Sequence, residues 1–118
     1  MNVERHLPLK PRDYHILFAL SRADLHGYGL VKALEEQSEG LLQLDPTSLY
    51  RRLRVLLRDG LVVEVEGEPR APLDDPRRNY YRLTDLGLAV LTAEASRMRA
   101  LVRQAEGSDL LSKVEGRA

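Results

Sequence analysis

The chain has 118 residues with 18 basic and 18 acidic side chains, so its formal net charge is zero. This length and a hydrophobic content of 43% predict one folded domain with a modest core. The absence of cysteine excludes disulfide and thiolate chemistry. The sequence has neither an apolar signal core nor a run of roughly 20 apolar residues that could cross a bilayer, so we expect a cytoplasmic protein.

The first part of the chain shows two helical patterns. Residues 1–10 are interpreted as a short arm, and a helix is predicted over about 11–23. A second helix is predicted over about 27–38, closed by Gly40. The apolar run 41–44 is too short for a helix, and we interpret it as a small strand.

The segment 45–60 has the clearest helix signals. Asp45 suits the N-cap, Pro46 the first helical position and Gly60 the left-handed residue that ends a helix. The apolar stripe of this helix consists of Leu49, Leu53, Leu56 and Leu57, and the residues that point away from the stripe are Thr47, Arg51, Arg54 and Arg58. One face therefore anchors in a core while the other offers guanidinium groups, as a helix that enters the DNA major groove requires.

Beyond this helix the spacing of the apolar residues changes from helical to alternating. Residues 61–66 alternate and are rich in valine, which predicts a strand, and 67–78 contain three prolines, which predicts a loop. Residues 79–83 are predicted to form the returning strand. Because successive side chains of a strand point to opposite faces, one of Tyr80 and Tyr81 should be buried and the other partly exposed. The order of elements predicts a mainly α (α+β) fold, a winged helix-turn-helix. Its DNA-binding domain, including the arm, would occupy residues 1–83.

A final long helix is predicted over about 84–106, capped by Thr84, and residues 107–118 are interpreted as a tail or a short extra helix. Alternating intervals of three and four residues give a heptad seam of Leu88, Leu91, Ala95, Met98, Val102 and Ala105. We expect this seam to pack against the same helix of a second copy and form a homodimer. The alternative is that the stripe folds back onto its own domain. A twofold dimer would present two recognition helices to one face of DNA.

Basic charge is concentrated around the third helix and around the second strand of the hairpin, as in a phosphate footprint. The residues expected to contact DNA are Thr47, Ser48, Tyr50, Arg51, Arg54 and Tyr28, with Arg77 and Arg78 near the wing. Thr47 and Ser48 would use short side chains and free amides at the helix start. The alternatives are a solvated Arg face, simple helix-start chemistry for these two residues, and packing roles for the two tyrosines.

Five short motifs occur in order along the chain. They are Leu7-Pro-Leu9, His26-Gly-Tyr-Gly-Leu30, Thr47-Ser-Leu-Tyr-Arg-Arg-Leu53, Asp59-Gly-Leu61 and Arg77-Arg-Asn-Tyr-Tyr-Arg-Leu-Thr84, the last followed by Gly87. With them the chain resembles PadR-type transcriptional regulators over about residues 7–106. The single C-terminal helix resembles the smaller subfamily.

The resemblance implies a dimeric DNA-binding repressor. It also implies, for some members, release of DNA when a small-molecule effector binds in or near the dimer interface. The chain has no tryptophan, so a flat ligand could not be sandwiched between indole rings. The competing hypothesis from another functional class is a winged helix that meets an acidic protein partner and does not bind DNA specifically.

Enzyme chemistry is not expected from the sequence. His6, His15 and His26 lack the spacing of metal ligands, and no glycine-rich phosphate loop or nucleophile motif is present. We therefore expect no catalytic residues, no metal and no cofactor.

Overall fold

The computed structural model describes residues 2–66 and 79–115. After a 3-10 helix at Glu4–His6, the elements are α1 (Pro11–Arg22), β1 (Leu25–His26), α2 (Gly27–Gln37), α3 (Pro46–Arg58), β2 (Val62–Glu66), β3 (Asn79–Leu83), α4 (Asp85–Glu106) and α5 (Leu110–Glu115). Three helices and a small antiparallel sheet with a long C-terminal helix confirm the predicted winged-helix fold. In the described ranges, no helix is both long and apolar enough to cross a membrane.

The sheet has the order β1-β3-β2, and one predicted strand was wrong. The strand that completes the sheet is β1, Leu25–His26, which lies between α1 and α2 in the chain and pairs with β3. Residues 41–44 form no strand. Glu39 and Gly40 both have positive φ, so the chain turns sharply after α2. Within the segment that follows, Leu44 is buried whereas Leu41 stays exposed. These residues therefore connect α2 to α3 without joining the sheet.

Both tyrosines of β3 are buried, which corrects the expectation that one would be partly exposed. β3 is the central strand, so both of its edges are paired. On one face Tyr81 joins the core. On the other, the ring of His26 lies edge-on against Tyr80 with the centroids 5.3 Å apart. The two-residue strand β1 therefore covers the second tyrosine with the ring of its own His26.

The core lies between the first three helices, the sheet and the first half of α4. Its most deeply buried apolar residues are Ile16, Leu17, Leu30, Leu34, Leu49, Leu53, Leu56, Leu61 and Val90. Three of the four Leu residues in the predicted α3 stripe are buried and the fourth packs against them. Full burial of one such side chain stabilises a fold by about 1.5–3 kcal/mol, so the stripe fixes α3 to the domain.

The predicted helix ends are confirmed. The Asp45 carboxylate accepts a hydrogen bond from the Ser48 amide at 2.8 Å, and Gly60 has a φ of 78°. Thr84 caps α4 by accepting from the Gly87 amide at 3.0 Å, while its hydroxyl donates to the Gly60 carbonyl at 2.6 Å. This last bond ties the end of α3 to the start of α4.

Gly87 is expected to tolerate no side chain. A Cβ at this position would collide with the Leu61 carbonyl oxygen and lie 2.7 Å from Leu83 Cδ1. Because a backbone atom cannot move aside as a side-chain tip can, Gly87→Ala should lower the free energy of unfolding by about 1–3 kcal/mol. Urea denaturation followed by circular dichroism measures the loss.

The matched control for this substitution is Gly107→Ala, since a Cβ at Gly107 meets only atoms at 3.5 Å or beyond. Its φ of −76° is also open to alanine. Equal stability of the two variants would show that α4 does not approach Leu61 as closely as described.

Candidate nucleic-acid interface

The outward face of α3 is an exposed cationic surface. Thr47, Arg51, Arg54 and Arg58 are all exposed, and α3 contains no acidic residue. Within the described part of the chain, Arg51 and Arg54 make no ion pair or side-chain hydrogen bond, whereas Arg58 pairs with Asp59 at 3.3 Å. Two guanidinium groups in the middle of this face are therefore available to an external anion or base.

Arg52 points the other way and serves the fold. Its Nε and Nη2 donate to the two carboxylate oxygens of Asp13 on α1, at 2.9 and 2.8 Å. Asp13 is buried and the Arg52 side chain is only 19% exposed. The hydrogen bond to Asp13 raises the pKa of Arg52, so the guanidinium remains charged. Asp13 lies 39 positions away in the chain, so local sequence patterns did not indicate this partner.

The amino-terminal end of α3 is occupied by its own cap. Ser48 donates both its amide, at 2.8 Å, and its hydroxyl, at 3.2 Å, to the carboxylate of Asp45. The bond from the Ser48 amide lowers the pKa of Asp45, which is therefore ionised at neutral pH. The Ser48 amide is thus not free for phosphate, contrary to the reasoning that selected Thr47 and Ser48 from sequence. Thr47 stays exposed beside the cap.

Tyr50 links α3 to the start of α2. Its hydroxyl lies against Gly27, where a Cβ would meet the hydroxyl oxygen and lie 2.8 Å from the ring atom Cζ. Gly27 is therefore the residue that lets the Tyr50 ring lie across the amino terminus of α2. Tyr50 nevertheless remains 44% exposed.

Tyr28 is 65% exposed, which excludes the core role considered for it. Its ring stacks on that of His26 at 6.4 Å, and Lys32 Nζ lies 5.9 Å from its centroid. The His26 side chain caps α2 by accepting from the Gly29 amide at 3.1 Å. Tyr28 is thus held at the surface by aromatic and cation–π contacts. Arg77 and Arg78, the two predicted wing contacts, lie outside the described residues.

The predicted seam on α4 divides into two parts. Leu91 is 7% exposed and belongs to the chain's own core, whereas Leu88 and Val102 are about half exposed. Ala95 is exposed, and Met98 and Ala105 are partly buried. Further apolar residues are exposed on the second half of α4 and on α5, namely Leu101, Leu110, Leu111 and Val114.

A groove of about 580 Å³ runs between α1 and α4. Its apolar lining includes Tyr14 and Phe18 from α1 and Leu88, Leu91 and Ala95 from α4; Ser21, Thr92, Ser96 and Arg99 complete it. Three of the seam residues therefore line the groove. Its volume lies within the range of about 300–1,000 Å³ that is typical of small-molecule pockets. The small-molecule effector that the resemblance implies stays a prediction.

Glu94 fixes the amino-terminal arm to α4. It is 2% exposed, and its carboxylate accepts the Leu9 amide at 2.9 Å and a pair of hydrogen bonds from Arg97. The hydrogen bond from Arg97 lowers the pKa of Glu94, so the buried carboxylate stays ionised. Sequence reasoning missed this residue because an acid on a long helix is ordinarily exposed.

His15 makes the stability of the fold dependent on pH. The Gln37 side-chain amide donates to His15 Nδ1 and to the His15 carbonyl, both at 3.1 Å, and burial lowers the pKa of the imidazole. The folded chain therefore takes up a proton less readily than the unfolded chain. The stabilisation is present above the ordinary histidine pKa of about 6.5 and decreases as the pH falls below it.

We expect a lower Tm at about pH 5.5 than at about pH 7.5 and a smaller difference in His15→Gln. Differential scanning fluorimetry across this range measures the difference, with His6→Gln, in the arm, as the matched control. An unchanged pH profile in His15→Gln would refute the assignment.

The chain is similar to known transcriptional regulators in both sequence and structure. The family model for the transcriptional regulator PadR-like family matches residues 16–93, whereas none of the curated proteins gives a significant match. A PadR family transcription regulator from Clostridium difficile superposes with a TM-score of 0.68 at 20% identity, covering 83% of this chain and 97% of that one. A PadR-like regulator from Bacillus cereus gives 0.68 at 21%, covering 80% and 87%.

A further similar structure is that of Bacillus subtilis PadR in complex with operator DNA, with a TM-score of 0.58 at 23% identity. The match covers 71% of this chain and 46% of that one.

Proposed function

Since this chain belongs to the PadR-like family of transcriptional regulators, we propose that it binds operator DNA sequence-specifically and acts as a homodimeric repressor. The observation that carries the proposal is the pair Arg51 and Arg54, exposed and without ion-pair partners in the described ranges, on a helix whose opposite face is fixed in the core. The operator complex of the similar Bacillus subtilis PadR supports it.

In this proposal α3 enters the major groove. Arg51 donates to the O6 and N7 atoms of a guanine, and Arg54 contacts a phosphate. Thr47 lies at the leading end of the helix, where its hydroxyl can reach a base or the backbone. For Ser48 we propose the capping role, because it donates both of its polar hydrogens to Asp45.

The remaining contacts in the proposal are to the DNA backbone. Tyr50 and Tyr28 are exposed next to the amino terminus of α2, and their hydroxyls can donate to phosphate oxygens. Arg77 and Arg78 would add wing contacts to the minor groove or backbone. Although the net charge of the protein is zero, the cationic outward face of α3 would then attract the negatively charged DNA.

The dimer in this proposal is built from α4. Exposed apolar side chains on its second half and on α5 form a surface that a single chain leaves in water, and the groove between α1 and α4 is a complementary apolar concavity. Joining two copies would cover both, and two α3 helices about 34 Å apart would read half-sites one helical turn apart.

Val102→Glu is expected to weaken the dimer by at least tenfold, because a charge at a half-exposed seam position would have to be buried at roughly 1–3 kcal/mol or more. Sedimentation velocity over a concentration series measures the dissociation constant. Gln104→Glu is the matched control, since it adds the same charge to an exposed residue outside the seam. A dimer equally stable in both variants would remove the seam from the interface.

Repression is tested separately from binding. A reporter is placed behind the upstream region of the gene that encodes this chain. Reporter expression should rise when that gene is deleted and should return to the low level when the gene is restored by complementation. Lower expression after deletion would identify an activator, and unchanged expression would place the operator elsewhere.

A further inference from the structure

The described part of the amino-terminal arm, residues 2–10, is fixed against the domain by its own contacts. Leu9 packs against the core, and its amide donates to the buried carboxylate of Glu94 at 2.9 Å. The carbonyl of Lys10 accepts from the Tyr14 amide at 2.9 Å, where the arm passes into α1. Because the arm is already held in place, its side chains would lose little conformational entropy on binding a ligand.

Two basic side chains of the arm lie beside one flank of α3. Arg5 and Lys10 line a cleft of about 200 Å³ that residues of α3 also line, and we call it the arm cleft. Val55 is one of these α3 residues, and it also lines the depression formed by the three arginines of the outward face of α3. The arm therefore adjoins the surface that we propose to contact DNA.

The arm cleft has an excess of positive charge. Of the described residues that line it, the two acids, Asp13 and Asp59, are each paired with an arginine of α3. Arg5 and Lys10 are exposed, and within the described part of the chain their side chains form no ion pair and no hydrogen bond. The charge that remains unneutralised fits an anion such as phosphate.

The dimensions of the major groove place a phosphate backbone on each flank of a helix that enters it. The groove is about 12 Å wide and a helix with its side chains is about 10–12 Å across, so the helix fills the groove. On one flank of α3, Tyr50 and Leu57 line a cleft with Glu64 of β2. On the other flank, Arg52 and Val55 line the arm cleft. At 3.6 residues per turn these two pairs lie on opposite sides of the outward face, so hairpin and arm each border one backbone.

We propose that Arg5 and Lys10 form a phosphate-binding extension of the DNA interface, which contacts the sugar-phosphate backbone on the arm side of the groove that α3 enters. The inference rests on the proposed function, because it takes α3 to be the helix that enters operator DNA. The contact is electrostatic, so the arm adds affinity for every duplex and selects no base.

The test is a salt titration of DNA affinity with the full chain and with the double variant Arg5→Ala, Lys10→Ala. Fluorescence anisotropy measures binding to an operator selected by the wild-type chain from a random library and to a random duplex. Each lost phosphate contact lowers the slope of log affinity against log salt by about 0.9, so the double variant should lower it by about 1.8. Affinity should fall by the same factor for both duplexes. The Lys10 side chain does not cap α1, so the Tm should stay unchanged.

Arg103→Ala is the matched control, because it removes one exposed basic side chain far from the arm. Arg103 lies in the last turn of α4, about 27 Å along that helix from its start beside Gly60. Its salt slope should equal that of the wild-type chain. Operators in which one phosphate at a time is replaced by a neutral methylphosphonate locate the contact. Phosphates that matter to the wild-type chain but not to the double variant should all lie on one backbone.

A double variant with the wild-type slope and affinity would overturn the inference and leave the proposed function intact. An equal loss in Arg103→Ala would overturn it as well, and so would an unchanged slope with a weaker dimer in sedimentation velocity, since the arm would then meet a second copy. Weak binding of the wild-type chain to every duplex, without salt dependence, would instead refute the proposed function and this inference with it.

Discussion

Arg51→Ala is expected to bind the selected operator roughly 5- to 150-fold more weakly than the wild-type chain, the range of losing one bidentate contact to a guanine. The residue is exposed at the middle of α3, opposite the buried Leu49 and Leu53, and forms no ion pair within the described part of the chain. Its removal should therefore leave the fold intact and cost only DNA contacts. Fluorescence anisotropy at one fixed salt concentration measures the affinity.

Two further substitutions separate base contact from general charge. Arg54→Ala should weaken binding to all duplexes alike and lower the salt dependence by about one counterion, as expected for a phosphate contact. Arg58→Ala is the control, because this guanidinium lies in the last turn of α3 and already pairs with Asp59. Unchanged affinity of Arg51→Ala for every duplex tested would remove Arg51 from the interface.

Asp13→Ala is expected to lower the free energy of unfolding by about 3 kcal/mol, at the lower end of the cost of breaking a buried ion pair because Arg52 keeps some contact with water. The substitution leaves the guanidinium of Arg52 without the two carboxylate oxygens that it now contacts at 2.9 and 2.8 Å. α3 would then lose its polar anchor to α1, and DNA affinity should fall with stability.

The double variant Asp13→Ala with Arg52→Ala isolates the pair, since it leaves no unpaired charge and should be more stable than Asp13→Ala alone. The surface pair of Asp24 with Arg82 provides the control. It has the same bidentate form at 2.7–3.2 Å, but its side chains are more exposed, at 56% for Arg82 and 31% for Asp24, so Asp24→Ala should have little effect on stability. Equal losses from Asp13→Ala and Asp24→Ala would contradict the structural role of Asp13.

Local signals in the sequence were sufficient for the ends and the buried face of α3. The Asp45 cap, Pro46 and the left-handed Gly60 define the ends of α3 from their own chemistry, and its Leu spacing defines the buried face. These signals act within one or two turns of the chain, so they can be interpreted without knowing the tertiary structure.

What the sequence did not predict depends on residues far apart in the chain. The strand at Leu25–His26 is too short to have a period of its own and exists because β3 pairs with it. Asp13 and Arg52 are separated by 39 positions, and Leu9 and Glu94 by 85. Each of these residues is ordinary in its local context, and only packing of the helices assigns its partner.

The same limit applies to the interface. Helical spacing identified Arg51 and Arg54 as outward residues, but it could not show that Arg52 turns inward or that Asp45 binds both polar groups of Ser48. The spacing of the α4 seam was visible in the sequence, whereas the burial of Leu91 in the chain's own core depends on how α4 packs against the rest of the domain.

The most direct test of the account is an anisotropy titration of the full chain against fragments of its own upstream region, repeated at several salt concentrations with a random duplex as control. We predict that one fragment binds about a thousandfold or more tightly than the random duplex, with an affinity that decreases steeply with salt. Equal and weak binding to every fragment and to the random duplex would contradict a sequence-specific operator in this region and would favour a protein partner for the cationic face of α3.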